Sequence, residues 1–327
     1  MSHLAGTWYL TPDSYNSPNL FPVGELLLGK RTKFQRMEIL RSPVLGLCLV
    51  LDGLVQVAEA DEHRYHETLV HPALLNVEEP RDVAIVGGGD GCALREVLKH
   101  KAVERVDLVD LDKDVVEASK KYLSRVNKRS LSSPKVRLHF ADGRKFLSKR
   151  REVYDAILLD ATDPTEGGPS LLLYSREFYS IVRSALRPGG AVVTQATALE
   201  SYQFRRIFWT VRSVFGHAEA LHAFVRSFYD DWGFVMSTRS KEIRLKPRDP
   251  ELVDGELKRR IRGELRYLDG SIYCSSFAIP PELRDRLMRP APIIRDREAL
   301  AAQRPATGER HPSLWAFERA KAKGSRR

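Results

Sequence analysis

The sequence predicts an α/β chain: a doubly wound, mostly parallel sheet preceded by a small antiparallel N-terminal β-domain. Three observations carry that reading. Short apolar runs punctuated by Gly, Pro or Asp-Gly fill the first 60 residues. From Arg81 onward strand-like runs alternate with helical patterns. A glycine-rich loop follows the first strand of that alternation. The 327 residues suffice for two units with a sizeable core. We place the β-domain and its exit helix at 1–78, the Rossmann-like sheet domain at 79–300 and a basic tail at 301–327.

Taken in order, GELLLGK, FQRMEILRS, LGLCLVLD and LVQVAEA read as strands of a meander, with Asp52-Gly53 as a tight hairpin turn. Residues 61–76 put Tyr65, Leu69 and Ala73 on one face, which predicts a helix leading out of the β region. VAIV (83–86) has the look of a buried parallel strand, followed by the helix CALREVLKH. RVDLVD (105–110), the helix DKDVVEASKKYLSR, VRLHF (136–140), a short helix near 143–149 and YDAILLD (154–160) continue the alternation. A helix near 175–186 and the strand AVVTQA (191–196) follow, and AEALHAFV and WGFVMST close one edge. Beyond 245 we expect a basic-acidic helix at 251–264 and a Pro-rich end.

Composition excludes several classes. With 43% apolar and 29% charged residues the chain is neither disordered nor membrane-spanning, since no run approaches the roughly 20 apolar residues a span needs. The first 19 residues lack a basic stretch followed by an apolar one, so no secretory signal is expected. Cys48, Cys92 and Cys274 are too few and too scattered for a disulfide scaffold or structural zinc, which predicts a reducing, cytoplasmic setting. The net charge of +10 invites a nucleic-acid reading. No aromatic residues interleave KHKAVER, SKKYLSRVNKRS or SKRRE, so these read as solvated faces rather than a single-strand groove.

The chemistry concentrates at the predicted strand ends. Gly87, Gly88, Gly89 and Gly91 let the backbone turn tightly and approach a ligand. Asp110 ends the next strand, where a carboxylate accepts hydrogen bonds from ribose hydroxyls. Asp90, inside the loop, would repel a pyrophosphate; it points away from NAD and towards a positively charged nucleoside such as S-adenosylmethionine or a relative. Asp142-Gly143 follows the third strand at the same edge, within reach of an adenine. The fourth strand ends in Asp160, Asp163 and Glu166, three acids whose burial is costly unless a cation lies between them. An acid cluster of this kind suits a polyamine. Asp61, Glu62 and His66 open the first helix and could face the same crevice, as could Asp230 and Asp231; N-capping is the competing reading of Asp61-Glu62. His63, His66 and His71 lack a Cys or well-spaced carboxylate companion, so no metal is expected.

LVLDGLVQVAEADEHRYHE (49–67), VGGGDGCALREVLKH (86–100) and LLDATDPTEGGP (158–169) together resemble the polyamine aminopropyltransferases, the spermidine, spermine and thermospermine synthases, from about Gly24 to Leu287. The longer EGGP form (Glu166 to Pro169), DDWGFVM (230–236) and GELRYLDG (263–270) resemble the thermospermine branch. The resemblance implies a class I methyltransferase-like catalytic fold and decarboxylated S-adenosylmethionine as co-substrate, with no cofactor. It implies that Gln35, Gly87, Gly89, Asp110, Asp142, Gly143 and Pro169 hold the methylthioadenosine part, and Asp90 and Asp61 the aminopropyl arm. His66, Asp163, Glu166 and Asp231 would seat the acceptor, and Asp160 would be the base. Phe34 stands where spermidine synthases have a tyrosine near the acceptor amine, which favours a different acceptor pose. A homodimer or homotetramer built through the β-domain is also implied. The rival readings are another acceptor within the family, an S-adenosylmethionine-dependent methyltransferase, and a non-catalytic polyamine- or nucleic-acid-binding protein.

Overall fold

The computed structural model describes residues 7–11, 20–164, 169–240 and 249–298, the side chain of Pro169 excepted. Glu166, that proline side chain and the tail 301–327 lie outside the described residues.

The N-terminal strands are β1 (Thr7–Leu10), β2 (Leu20–Val23), β3 (Glu25–Arg31), β4 (Arg36–Ser42), β5 (Gly46–Leu51) and β6 (Leu54–Ala58). β3 to β6 form an antiparallel meander in chain order, and β1 pairs β2 as a separate hairpin. The Asp52-Gly53 turn has positive φ at both residues, 48° and 92°, as the two-residue hairpin between right-twisted strands requires. One face of the meander packs Met37, Ile39 and Leu49 against later helices; the other packs Leu40, Cys48 and Val50 under the hairpin's Tyr9 and Phe21.

The exit helix α1 (Glu62–Leu75) lays Tyr65, Leu69, Val70 and Ala73 on the large sheet. Then come β7 (Asp82–Gly87), α2 (Cys92–Lys99), β8 (Arg105–Asp110), α3 (Lys113–Tyr122), β9 (Val136–Phe140), α4 (Gly143–Ser148) and β10 (Tyr154–Asp160). α5 (Arg176–Ala185), β11 (Leu186–Ala198), α6 (Tyr202–Phe215), β12 (Glu219–Val225) and β13 (Asp230–Thr238) complete the core. α7 (Pro250–Arg260), α8 (Gly270–Ser276) and α9 (Pro281–Met288) follow. The seven-stranded sheet runs β12-β13-β11-β10-β7-β8-β9, parallel from β11 to β9 and antiparallel at β13 and β12.

Alternation of side chains explains how this sheet is covered on both faces. Val83, Ile85, Ala156 and Leu158 meet α1 and α2, while Ala84, Val86, Ile157 and Leu159 meet α4, α5 and α6. α6 carries Phe204, Ile207, Phe208 and Val211 at helical spacing, a signal present in the sequence and overlooked above. α7 ends earlier than expected, at Arg260, whose buried guanidinium turns back to cap the carbonyls of Leu74, Leu75 and Val77 at the end of α1.

The sheet order sets the site. β8 lies on one side of β7 and β10 on the other, so a crevice opens at the carboxyl ends where the winding reverses. Gly87 and Asp160 are direct register partners at that point.

Candidate active site

Gly87, Gly88 and Gly91 have φ of 82°, 67° and 83°, and a side chain on Gly87 would run into the Asp160 carbonyl. Gly88 N–H donates to that carbonyl at 3.0 Å, so the loop and the end of β10 are stitched together. A Cβ on Gly89 would lie 2.6 Å from Asp110 Oδ2. Glycine is demanded here by close approach as much as by dihedral angle.

The expected nucleoside residues come together. Asp110 accepts from Asp112 N–H at 2.8 Å; burial pushes its carboxyl up to about 6. Gln35, on the turn between β3 and β4, donates to Asp112 Oδ2 at 3.1 Å, beside the Thr32 hydroxyl at 2.6 Å. Asp142 caps α4 by accepting from Lys145 N–H at 3.0 Å, and Gly143 packs on Val86 with no room for a side chain. Ala141 N–H bonds the Asp110 carbonyl at 3.1 Å, which ties the two ends of this half-site together.

Beside it a cleft is lined by Tyr65, His66, Asp90, Asp160, Asp163 and Gln195, with Leu54, Val55, Phe228 and Trp232 as its apolar wall and Thr11, Gln56 and Ser227 also in the lining. Asp160 Oδ1 accepts from the Tyr65 hydroxyl at 2.7 Å, whereas Oδ2 is buried without a partner. Burial raises the Asp160 carboxyl to about 6 and Asp90 adds to the rise, against the opposing His66 charge and Tyr65 hydrogen bond. Asp163 is likewise raised to about 6 by burial, and Gln195 Nε2 donates to its Oδ1 at 3.2 Å. Asp90 Oδ1 accepts from Cys92 N–H at 2.7 Å and lies 3.7 Å from His66 Nε2. Donor atoms of His66, Asp90 and Asp160 converge within 4.8 Å, a spacing that suits a small cation.

Two expected residues are turned elsewhere. Asp61 does not reach into the cleft: its carboxylate takes Ser227 N–H at 2.7 Å and Ser227 Oγ at 2.9 Å, fastening the start of α1 to the turn before β13. It makes no side-chain cap bond either, so N-capping is not its role. Asp231 spends both oxygens on His222 Nδ1, at 2.9 and 2.8 Å. His63, His66 and His71 do not converge; His71 faces His100 and Glu96, each at 3.0 Å.

Other groups escaped the sequence analysis. Phe34, on the exposed turn after β3, is outside the cleft lining, and the tyrosine hydroxyl that meets Asp160 comes from Tyr65 on α1. Gln195 and Tyr174 hold the Asp160–Asp163 loop, through Gln195 Nε2 to the Ala161 carbonyl at 2.8 Å and the Tyr174 hydroxyl to the Thr162 carbonyl at 3.2 Å. Tyr65 precedes His66 on the helix predicted at 61–76, which was a signal to be read; Gln195 sits inside an apolar strand run and gave none.

A Rossmann-like sheet with a glycine loop, a ribose-type carboxylate and an acid-lined second cleft defines a transferase that pairs a nucleoside donor with a cationic acceptor. Residues 62–247 match the spermine/spermidine synthase domain, and residues 8–59 the spermidine synthase tetramerisation domain. The chain belongs to the spermine/spermidine synthase family, the polyamine aminopropyltransferases. Polyamine aminopropyltransferase 2 of Hyperthermus butylicus is 42% identical over 259 residues, covering 78% of this chain and 84% of that one. The polyamine aminopropyltransferase of Saccharolobus solfataricus is 37% identical over 283 residues, covering 85% and 92%. Among solved structures, a spermidine synthase in complex with the transition state analogue AdoDATO superposes with a TM-score of 0.80 at 29% identity, over 86% of this chain and 95% of that one. The spermidine synthase of Thermotoga maritima gives 0.78 at 28%, over 86% and 94%. No helix among the described residues is long and apolar enough to cross a membrane.

Proposed function

We propose that this chain moves the aminopropyl group of decarboxylated S-adenosylmethionine to spermidine, forming thermospermine and releasing 5'-methylthioadenosine. The observation that carries the transfer chemistry is Asp160: one oxygen is held by Tyr65, the other is buried and unpartnered at the mouth of the glycine loop. A neutral amine of the acceptor attacks the carbon next to the sulfonium, the C–S bond breaks with its electron pair passing to sulfur, and the amine proton goes to Asp160 Oδ2. With lysine as the model amine near 10.4 and Asp160 at about 6, the mismatch is about 4.4 units, on the order of 6 kcal/mol. An aspartate at its ordinary value would leave about 9 kcal/mol. Burial of the base therefore removes roughly a third of the problem, and desolvation of the amine beside the sulfonium lowers its pKa to meet the rest.

Asp110, Asp142, Gly143 and Gln35 would hold the nucleoside, and Asp90 the aminopropyl ammonium. His66 and Asp163 would line the acceptor's path. The cleft sets acids beside an apolar wall of Leu54, Val55, Phe228 and Trp232, which suits ammonium groups separated by methylenes. That wall and the EGGP loop in the sequence favour an acceptor longer than a diamine; spermidine synthase or spermine synthase activity is the alternative within the family. A methyltransferase shares the glycine loop but has no use for Asp160 and Asp163 side by side. We read 1–78 as the unit through which copies associate, with Leu26 exposed on β3 as part of the contact.

Product analysis tests the reading. The protein is incubated with decarboxylated S-adenosylmethionine and, separately, putrescine, spermidine or spermine, and products are separated against thermospermine and spermine standards. Thermospermine from spermidine is expected. Spermidine from putrescine overturns the acceptor, and no product with any amine overturns the transfer.

A further inference from the structure

A line of charged side chains runs from His66 at the cleft into the protein, and the transfer reaction as written gives no role to its buried members Glu62, Arg95 and Glu96. His66 Nδ1 lies 2.7 Å from the Glu62 carbonyl and 2.9 Å from Glu62 Oε2; with two acceptors in front of it, Nδ1 carries a hydrogen. Glu62 is itself pinned, because Arg95 of α2 grips its two oxygens at 2.7 and 2.9 Å. Arg95 is fixed in turn by Glu96 Oε1 at 2.6 Å and the Val126 carbonyl at 2.7 Å. The charge on the ring is then decided at Nε2, which faces Asp90 Oδ1 at 3.7 Å and the Asp160 carboxylate.

Charged and titratable groups approach the ring from every element packed on it. Glu62 comes from α1, Asp90 from the glycine loop, Asp160 from the end of β10, and Arg95 from α2 by way of Glu62. Tyr65 meets the ring edge-on at 4.9 Å, and burial keeps the Cys92 thiol protonated. Three carboxylates thus surround a 2% exposed imidazole, with a single guanidinium behind one of them.

We propose that His66 is a built-in counter-ion: held as an imidazolium by the positioning pair Glu62–Arg95, it fills the cation place between Asp90 and Asp160 and surrenders its Nε2 proton when the donor's ammonium arrives. The proposal rests on the function proposed above and deepens it. The step balances simply: the Nε2–H bond breaks, the proton leaves through the cleft to water, and the ring remains as the neutral Nδ1–H form. Its Nε2 lone pair then accepts a hydrogen bond from the incoming ammonium, where an imidazolium would repel it. Burial on its own would lower the His66 pKa, but the Glu62 hydrogen bond and the charges of Asp90, Glu62 and Asp160 outweigh it and push the ring up to about 9. At pH 7.5 about 3% of the enzyme would be in the receptive form, an affinity penalty of about 30-fold that shrinks to about twofold at pH 9.

Calorimetry in buffers of different ionisation heat tests this with the full chain and decarboxylated S-adenosylmethionine. At pH 7.5 close to one proton should be released per donor bound, and the dissociation constant should fall about ninefold from pH 7 to 8 and about fivefold more from pH 8 to 9. Glu62→Gln and His66→Gln should each abolish the release and flatten the pH dependence. Since Glu62→Gln risks misfolding, NMR titration of the wild-type imidazole provides a second readout, with a midpoint near 9 expected. Donor binding without proton release, or a ring titrating near 6.5, overturns the proposal. Failure of the donor to bind at all overturns the proposed function and this inference with it.

Discussion

The Tyr65 hydroxyl donates to one oxygen of Asp160 at 2.7 Å and leaves the other buried and unpartnered. An exposed carboxylate would satisfy both oxygens with water. Here one is aimed by protein and the other, packed beside Gly88, is left without a donor, which suits the proposed role of a base that must hold its direction.

Replacing Asp160 with Asn removes that base without disturbing the nucleoside half-site. Turnover should fall by about 10²–10⁴-fold, within the range for a lost general base, while donor affinity stays within a few-fold. Single-turnover rates and equilibrium binding measured on the same preparation check it.

As the proposed base Asp160 acts in its ionised form, so activity should decline below about pH 6. The Tyr65 hydrogen bond favours the ionised carboxylate; in Tyr65→Phe the acid limb should move to higher pH, by about one unit. An unchanged limb in Tyr65→Phe would remove Tyr65 from any influence on the base.

Asp163 sits further along the acceptor's proposed path and is steadied by Gln195 at 3.2 Å. Asp163→Asn should raise KM for the polyamine by at least tenfold while changing KM for the donor little. Steady-state kinetics with each substrate varied in turn separate the two.

Asp61 gives both oxygens to Ser227, and both residues are buried. Asp61→Asn sets an amide N–H against a donor that needs an acceptor. It should cost about 1–3 kcal/mol of stability, measured by denaturant unfolding, and loosen the Ser227 side of the cleft.

Stability should also respond to pH through the site. Asp110, Asp160 and Asp163 are raised in the folded protein to about 6 from 3.8, so the stability they contribute is present below 3.8 and is lost as pH rises through about 6. Glu62, held near 2 by His66 and Arg95 in spite of its burial, acts oppositely: its contribution is present above 4.5 and disappears as pH falls through about 2. Melting temperature should therefore fall between pH 5 and 7 in the free protein, and spermidine should restore more of it at pH 7 than at pH 5.

Much of this protein was legible in its sequence because the signals are local. The glycine loop, Asp110 and Asp160 each terminate a short, mostly apolar strand, and a parallel sheet delivers all such termini to one edge. Asp90 named the charge of the ligand from within a single turn. What the tertiary structure decided are partnerships between distant residues. Asp61 and Asp90 are both acids near the head of a helix, yet Asp61 is taken up by Ser227, 166 positions away, while Asp90 stays in the cleft. Tyr65 reaches Asp160 because α1 packs on the sheet beside β10, and Arg95 locks Glu62 because α2 packs beside α1. A sequence fixes which side chains a strand end or turn presents; which buried charges become neighbours depends on how helices pack over the sheet, and in a low-dielectric interior those neighbours set the protonation states that the chemistry uses.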